Sequence, residues 1–339
     1  MTPYKSTLGR PLLPSAAGIA LILGSLVLGS ATQAAAQGAS TAPTWPTRNV
    51  RLILPLGPGS GTDISARMIA EKVSKLWGQA VVVENKPGGD SVVAINSVIS
   101  ANDDHILLWG PSAAFTAHPY THAKLPYDIR EIFPIARVTN TLVVFTVSSA
   151  IKPTSVAELV QLVKANPGKF NWASVTGLND FLFQSFVRSQ DLDIKRVPYR
   201  DAVQAANDLG EDRIQAYTSA FAIARPVLES GKIRPIAFTN TSRAGIMPNI
   251  PTVREAGFPQ LEFDGMVGVY GTKAVSAEAK KRISADVRSA LDDATIRERL
   301  TATGQVINPG DSAEFVAAIG EQRKVAAGAA QILGIKAAE

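Results

Sequence analysis

The stretch Leu52-Ile53-Leu54-Pro55-Leu56-Gly57-Pro58-Gly59-Ser60-Gly61-Thr62-Asp63 runs from an apolar strand through a glycine- and proline-rich elbow into a helix start. Beyond it Ile64, Met68, Ile69, Val73 and Leu76 recur at helical spacing, which predicts a helix over 63–77 closed by Gly78. A helix that begins just after a strand turns unpaired N–H groups and the positive end of its dipole toward the connecting loop. The elbow is therefore an anion cradle.

The chemistry of that anion is narrowed by what the chain lacks. Gly57-Pro58-Gly59-Ser60-Gly61-Thr62 approximates the dinucleotide pattern G-x-G-x-x-G, but Thr62 stands at the last glycine position and Pro58 has no amide to donate. No G-K-[ST] follows, which excludes a P-loop. His118 and His122 are spaced i, i+4 around Pro119 without a glutamate base, and read as solvated loop histidines rather than zinc ligands. With three histidines and no G-x-S-x-G elbow, a Ser-His-Asp arrangement has little to build on. Zero cysteines exclude disulfides, iron-sulfur clusters, thiolate zinc sites and a cysteine nucleophile. Asp103-Asp104 and Asp292-Asp293 read as caps and turns. No catalytic residue, metal site or cofactor is expected.

At the N-terminus Lys5 and Arg10 precede an uncharged apolar run over 16–29 and then Ala34-Ala35-Ala36, the pattern of a secretory signal peptide spanning 1–36. The run is shorter than the roughly 18–20 residues that cross a bilayer. Residues 37–44 are small and polar, as a flexible N-terminus would be. Removing 36 of the 339 residues leaves 303, and because the segment carries two basic and no acidic residues the net charge falls from +5 to +3. No basic run tracks a phosphate backbone, so nucleic acid is not expected as a partner.

A chain of this size commonly divides into two domains. Strand-like segments at 50–55, 80–84 and 105–109 alternate with helical ones at 63–77 and 91–100, a βαβαβ pattern that implies a parallel sheet. A second unit has strands at 142–147, 170–174, 194–197, 214–218 and 233–239, with helices at 155–164, 180–189, 201–209 and 222–230. Ser155 and Glu158, and later Asp311 and Glu314, are capping-box pairs. After Phe263 the chain turns to charged amphipathic helices at 277–293 and 311–330. The expected architecture is α/β with two lobes, 45–147 plus 266–339 and 148–265, joined by a hinge. Ligands of such folds sit at strand C-termini, which puts loops 57–63, 85–91, 110–114, 174–180, 199–201 and 219–221 at the site.

Six segments in series carry a family resemblance. They are Trp45-Pro46 leading into Val50-Arg51-Leu52-Ile53-Leu54-Pro55 and the elbow, Val81-Val82-Val83-Glu84-Asn85-Lys86-Pro87-Gly88-Gly89, Lys124-Leu125-Pro126-Tyr127-Asp128, Pro167-Gly168-Lys169-Phe170-Asn171-Trp172-Ala173-Ser174, Val197-Pro198-Tyr199-Arg200, and Pro251-Thr252-Val253-Arg254-Glu255-Ala256-Gly257. Together they resemble the tripartite tricarboxylate transporter substrate-binding proteins, the Bug receptors of the TctC family. The resemblance implies a type II periplasmic-binding-protein-like fold with a Rossmann-like sheet in each lobe. It also implies a monomeric periplasmic receptor, not an enzyme, that closes over a small mono- or dicarboxylate and delivers it to integral membrane permease subunits. Main-chain amides and waters would hold the ligand.

On that resemblance Gly57, Gly59, Ser60 and Thr62 are first-lobe donors, with Pro58 in the same loop and Asp63 as the helix cap. Ser112 and Ala113 match a second first-lobe loop, and Ser174, Thr176 and Gly177 the second-lobe carboxylate loop. There the chain departs, reading Val175-Thr176-Gly177-Leu178-Asn179-Asp180-Phe181 where the family has a serine- and glycine-rich loop and a histidine. Asn179 and Asp180 either read a second ligand group or cap the helix. Tyr199 would pack the ligand chain, and Arg200 would meet a second carboxylate or pair with Asp201 or Asp180. The competing readings are a secreted α/β enzyme with a nucleotide or unrecognised cofactor, and a receptor that signals to a sensor kinase.

Overall fold

The structure is a computed structural model that describes residues 44–199 and 201–338. The expected signal peptide, all but the last residue of the 37–44 segment, and Arg200 lie outside the described residues. From Trp45 onward the chain forms one compact unit that holds two sheets.

The first stretch gives β1 (Val50–Leu54), α1 (Gly61–Trp77), β2 (Val81–Asn85), α2 (Val92–Ala101), β3 (Ile106–Pro111), the short helices α3 (Ala113–Thr116) and α4 (His118–Thr121), and β4 (Phe133–Thr141). Then follow β5 (Val143–Ser148), α5 (Val156–Ala165), β6 (Asn171–Ser174), α6 (Leu178–Ser189), β7 (Lys195–Arg196), α7 (Ala202–Gly210), β8 (Ala216–Ala220), α8 (Phe221–Glu229) and β9 (Ile233–Phe238). The chain closes with β10 (Gly265–Gly271), α9 (Ala277–Leu291), α10 (Ala294–Ala302), β11 (Gln305–Gly310) and α11 (Ser312–Leu333).

The first sheet has the order β11-β4-β10-β3-β1-β2 and the second β7-β6-β8-β5-β9. Both are mixed. β1 pairs in parallel with β2 and β3, as the βαβαβ pattern requires, but β10 and β11 run antiparallel to β4. β1 is buried on both faces, with Leu52 and Leu54 in the core under α1 and α9 and Ile53 in the core under α2 and α11. β5 belongs to the second sheet, antiparallel to β8 and β9, so the lobes change over at Leu142 and not after residue 147. The reason is β4, a strand missing from the sequence expectation, which already fills the place beside β10.

Leu142 is the only residue between β4 and β5. Its N–H donates to the Gly304 carbonyl at 2.8 Å and its own carbonyl accepts from Phe221 N–H at 2.8 Å, so the crossing leaves no orphaned backbone group. The return crossing runs through Asp264, just before β10. One buried side chain ties the two crossings together. Asn240 Oδ1 accepts from Val143 N–H at 2.9 Å, while its Nδ2 donates to the Thr141 carbonyl at 3.0 Å and to Asp264 Oδ1 at 3.1 Å.

α11 starts on a complete Asp311/Glu314 capping box and packs Phe315 into the first lobe. Its far end reaches the second lobe, where Ala326, Ala329 and Ala330 share a cluster with Leu178, Phe181 and Leu182 of α6. Gln322 Nε2, midway along α11, donates to the Asp264 carbonyl at 3.0 Å. A single helix thus spans both sheets and the return crossing. Replacing the clamp, Asn240→Ala, strands Val143 N–H and the Thr141 carbonyl in a buried place and is expected to lower the unfolding free energy by about 1–3 kcal/mol. Urea denaturation reads this directly, and an unchanged midpoint would remove Asn240 from the clamp.

Candidate functional site

The elbow folds as the sequence suggests but disposes of its donors differently. Ser60 is the N-cap of α1, its Oγ accepting from Asp63 N–H at 3.2 Å. Asp63 is therefore not the cap. It lies inside the first turn, only 3% exposed, and its carboxylate accepts from Gly59 N–H at 3.0 Å, Asn85 Nδ2 at 2.9 Å and Arg67 Nε at 3.1 Å. Gly59, at a left-handed φ of 82°, thus gives its amide to Asp63 and is not an anion donor. Gly57 and Pro58 sit at the surface of the loop. No acceptor within the described residues engages Gly61 N–H or Thr62 N–H.

These two amides lie beside the hinge. A Cβ on Gly61 would come within 2.5 Å of Gln305 Nε2, and the Gln305 side chain is held by the hydroxyls of Thr139 and Thr141 at 2.8 and 3.2 Å. Next to Gln305, Gly304 meets the start of α8 at Phe221 and Ala222. A side chain at 61 would thus have to displace the end of the Gln305 side chain from its bonds to Thr139 and Thr141.

In the second lobe the loop after β6 is tied to the end of β8. Val175 N–H and Asn179 Nδ2 both donate to the Thr218 carbonyl, at 3.2 and 2.9 Å. Gly177, at φ 96°, occupies the N-cap of α6, where no side chain can cap the helix. Neither Asn179 nor Asp180 is the N-cap. Asp180 sits in the first turn, bound by Arg196 Nε and Nη2 at 2.9 Å each and by Gln184 Nε2 at 2.7 Å. Its ion-pair partner is Arg196, on β7. The N–H groups of 176–180 have no acceptor within the described residues, so α6 presents an uncapped positive end.

The remaining expected residues within the described chain make contacts inside the protein. Ser112 N–H donates to the Met266 carbonyl at 3.1 Å, and Ala113 packs against the cluster that holds Leu178 and Val143. Ser174 Oγ donates to the Val175 carbonyl at 3.0 Å. Tyr199 gives its hydroxyl to Asp208 at 2.8 Å, and burial together with that bond pushes its pKa up to about 12. Asp201 caps α7 through Val203 N–H at 2.8 Å.

A cleft of about 520 Å³ opens between the lobes. Its second-lobe wall contains Thr176, Gly177 and Asp180 from the expected set, with Gln184 and Arg196 added. Its first-lobe wall is Asp90, from the loop 85–91 expected at the site, with Tyr120, Thr121 and His122, which sequence reasoning had not placed there. Tyr120 stacks on Phe181 across the lobes at 5.6 Å and 18°, and Ile335, after the α11 cap, closes one edge.

Behind this wall His118 corrects the expectation of a solvated loop histidine. Its side chain is fully buried, Nδ1 is bonded to the Tyr127 hydroxyl, and Nε2 has no well-formed hydrogen bond. The nearest charge to Nε2 is Asp90 Oδ2 at 3.5 Å, and the His122 ring lies 4.8 Å away. Burial holds the His118 imidazole below its ordinary value against the opposing pull of Asp90. Pro119 is compatible with α4 because it falls in the first turn, where the missing N–H breaks no helical bond.

Asp103, Asp104 and His105 also gather their ligand atoms within 4.8 Å. Those atoms are committed to the protein. Asp103 accepts from Arg48 and from His105 N–H, and the His105 ring bonds Asp104 through Nδ1 and Thr47 N–H through Nε2.

Asp63 sets a pH dependence. Burial alone would raise its pKa, but the bonds from Arg67, Gly59 N–H and Asn85 outweigh that and hold it below the ordinary 3.8. A depressed folded-state value gives stability that is complete above the ordinary pKa and is lost as the pH falls through the folded one. Wild type is therefore expected to exceed Asp63→Asn in urea midpoint near neutrality, with the gap closing below about pH 4. A gap independent of pH would contradict the assignment.

A family model described as the tripartite tricarboxylate transporter family receptor matches residues 65–332. A UPF0065 protein of Bordetella pertussis is 30% identical over 272 residues, covering 78% of this chain and 84% of that protein. Among solved structures, one described as a periplasmic transporter superposes with a TM-score of 0.76 at 26% identity, covering 86% of this chain and 99% of its own. The MatC protein of Rhodopseudomonas palustris with bound malate gives 0.71 at 25% identity, covering 83% of this chain and 100% of its own. With most of its length matched by the family model and both sheets in place, this chain belongs to the tripartite tricarboxylate transporter receptor family.

Proposed function

We propose that this protein is a periplasmic solute-binding receptor that captures a small organic carboxylate between its lobes and delivers it to the membrane permease subunits of a tripartite transporter. The observation that carries the reading is the uncapped start of α6, whose free amides and left-handed Gly177 open onto a cleft of about 520 Å³. An N-terminus without its own capping side chain is a place for an external anion. Malate bound in the MatC relative supports a carboxylate as that anion.

The energetics ask for more than one contact. A helix N-terminus contributes about 0.3–1 kcal/mol per charge, and up to about 2 in a partly buried setting. Micromolar affinity corresponds to roughly 8 kcal/mol. Gly61 N–H and Thr62 N–H meet no acceptor among the described residues but lie outside the lining of that cleft, and would join the grip where closure brings the elbow to it. Hinge closure about the two crossings would dry the cleft and strengthen both contacts.

Calorimetry of the purified protein against C3 to C8 mono- and dicarboxylates, plain, hydroxylated and aminated, is expected to show saturable binding to at least one. Thr176→Trp, at an exposed position in the cleft wall, is expected to weaken that binding about tenfold or more while leaving the circular dichroism spectrum unchanged. No heat with any acid would overturn the reading, and unchanged affinity in Thr176→Trp would move the site elsewhere.

A further inference from the structure

The first-lobe wall of the cleft raises a question that a carboxylate receptor does not answer by itself. Asp90 faces the start of α6 across the cleft, and a fixed carboxylate there repels a ligand that is anionic throughout. Asp90 also holds a left-handed φ of 51°, followed by Ser91 at 75°, a conformation that glycine adopts at less cost. A side chain kept in such a place, in a cleft wall, points to a role for its carboxylate.

The buried His118 ring stands behind Asp90. Its Nδ1 is bonded to the Tyr127 hydroxyl, and its Nε2, without a hydrogen-bond partner among the described residues, faces Asp90 Oδ2 at 3.5 Å. Burial holds the imidazole below its ordinary value, against the pull of Asp90, and the Tyr127 hydroxyl above its own. The other ionisable side chains lining the cleft are Asp180, bonded twice to Arg196, Tyr120 and His122. Asp90 is therefore the carboxylate in the wall that has no cationic side chain bound to it among the described residues.

We infer that Asp90, backed by His118, is a subsite for an ammonium group, and that the preferred ligand is an amino-substituted carboxylate rather than a plain dicarboxylate. The ligand carboxylate would lie at the uncapped start of α6, and its ammonium would donate to Asp90 across the cleft. The same carboxylate discriminates by repulsion, since an acid lacking the ammonium leaves two negative charges facing each other. The inference rests on the receptor reading above and adds the chemical class of its ligand.

Matched pairs test it, namely succinate against L-aspartate and adipate against L-2-aminoadipate, by titration calorimetry on wild type and Asp90→Asn. In wild type at least one amino acid is expected to bind about tenfold or more tighter than its unsubstituted partner. Asp90→Asn, which keeps the shape and tolerates the left-handed backbone, is expected to abolish that preference. Should Asn disturb the fold, Asp90→Gly gives the same readout at a φ suited to glycine. Equal or tighter binding of the plain acids by wild type, or a preference that survives both substitutions, would overturn the inference while the receptor reading stands. Binding of none of the four compounds would overturn it as well, and binding of no organic acid at all would overturn both.

Discussion

Everything that positions the cleft depends on how two peptide crossings are held together. The sheets are joined at Leu142 and Asp264, and the Asn240 amide bonds both of them, with its oxygen on Val143 N–H and its nitrogen on the Thr141 carbonyl and Asp264 Oδ1. Thr241 adds a second contact to Asp264 through its hydroxyl at 3.0 Å. A buried amide with three partners is a directional constraint as well as a stabilising one. α11 is laid across the two crossings and fixed to the return one by Gln322.

The two elbows differ in what they do with their amides. In the first lobe Asp63 takes Gly59 N–H, and Asn85 and Arg67 complete the carboxylate, so the loop arrives rigid, with the Gly61 and Thr62 amides free of acceptors among the described residues. In the second lobe Asp180 turns away to Arg196 and Gln184, and no side chain caps α6. The rigid elbow supplies geometry and the uncapped helix supplies donors. Asp90 and His118 complicate this division by placing a carboxylate opposite the donors.

Much of this was legible in the chain. The β1 to α1 stretch has its strand, its elbow and its helical spacing in one continuous reading, and Asp311 with Glu314 marks the start of α11. β4 was not legible because it has a proline, Pro134, as its second residue and carries Arg137 and Asn140 in a strand that is mostly buried, so neither alternation nor an apolar run appears. β11 ends in Asn308, Pro309 and Gly310, which read as a turn. Missing β4 displaced the lobe boundary by a strand. The site residues that escaped were those whose role comes from distant contacts. Arg196 reaches Asp180 from another strand, and the burial of His118 follows from Tyr127 and Asp90 packing around it, none of which has a local pattern.

The central claim is that a carboxylate ligand is gripped from both lobes across this one cleft. Amide hydrogen exchange with and without a saturating organic acid tests it most directly, because it reads each wall separately. The account predicts slowed exchange in residues 176–180 of the second lobe together with residues 118–122 of the first, and little change in the distant edge strand β2. Protection confined to one wall, or spread evenly over the molecule with no excess at these two segments, would contradict it.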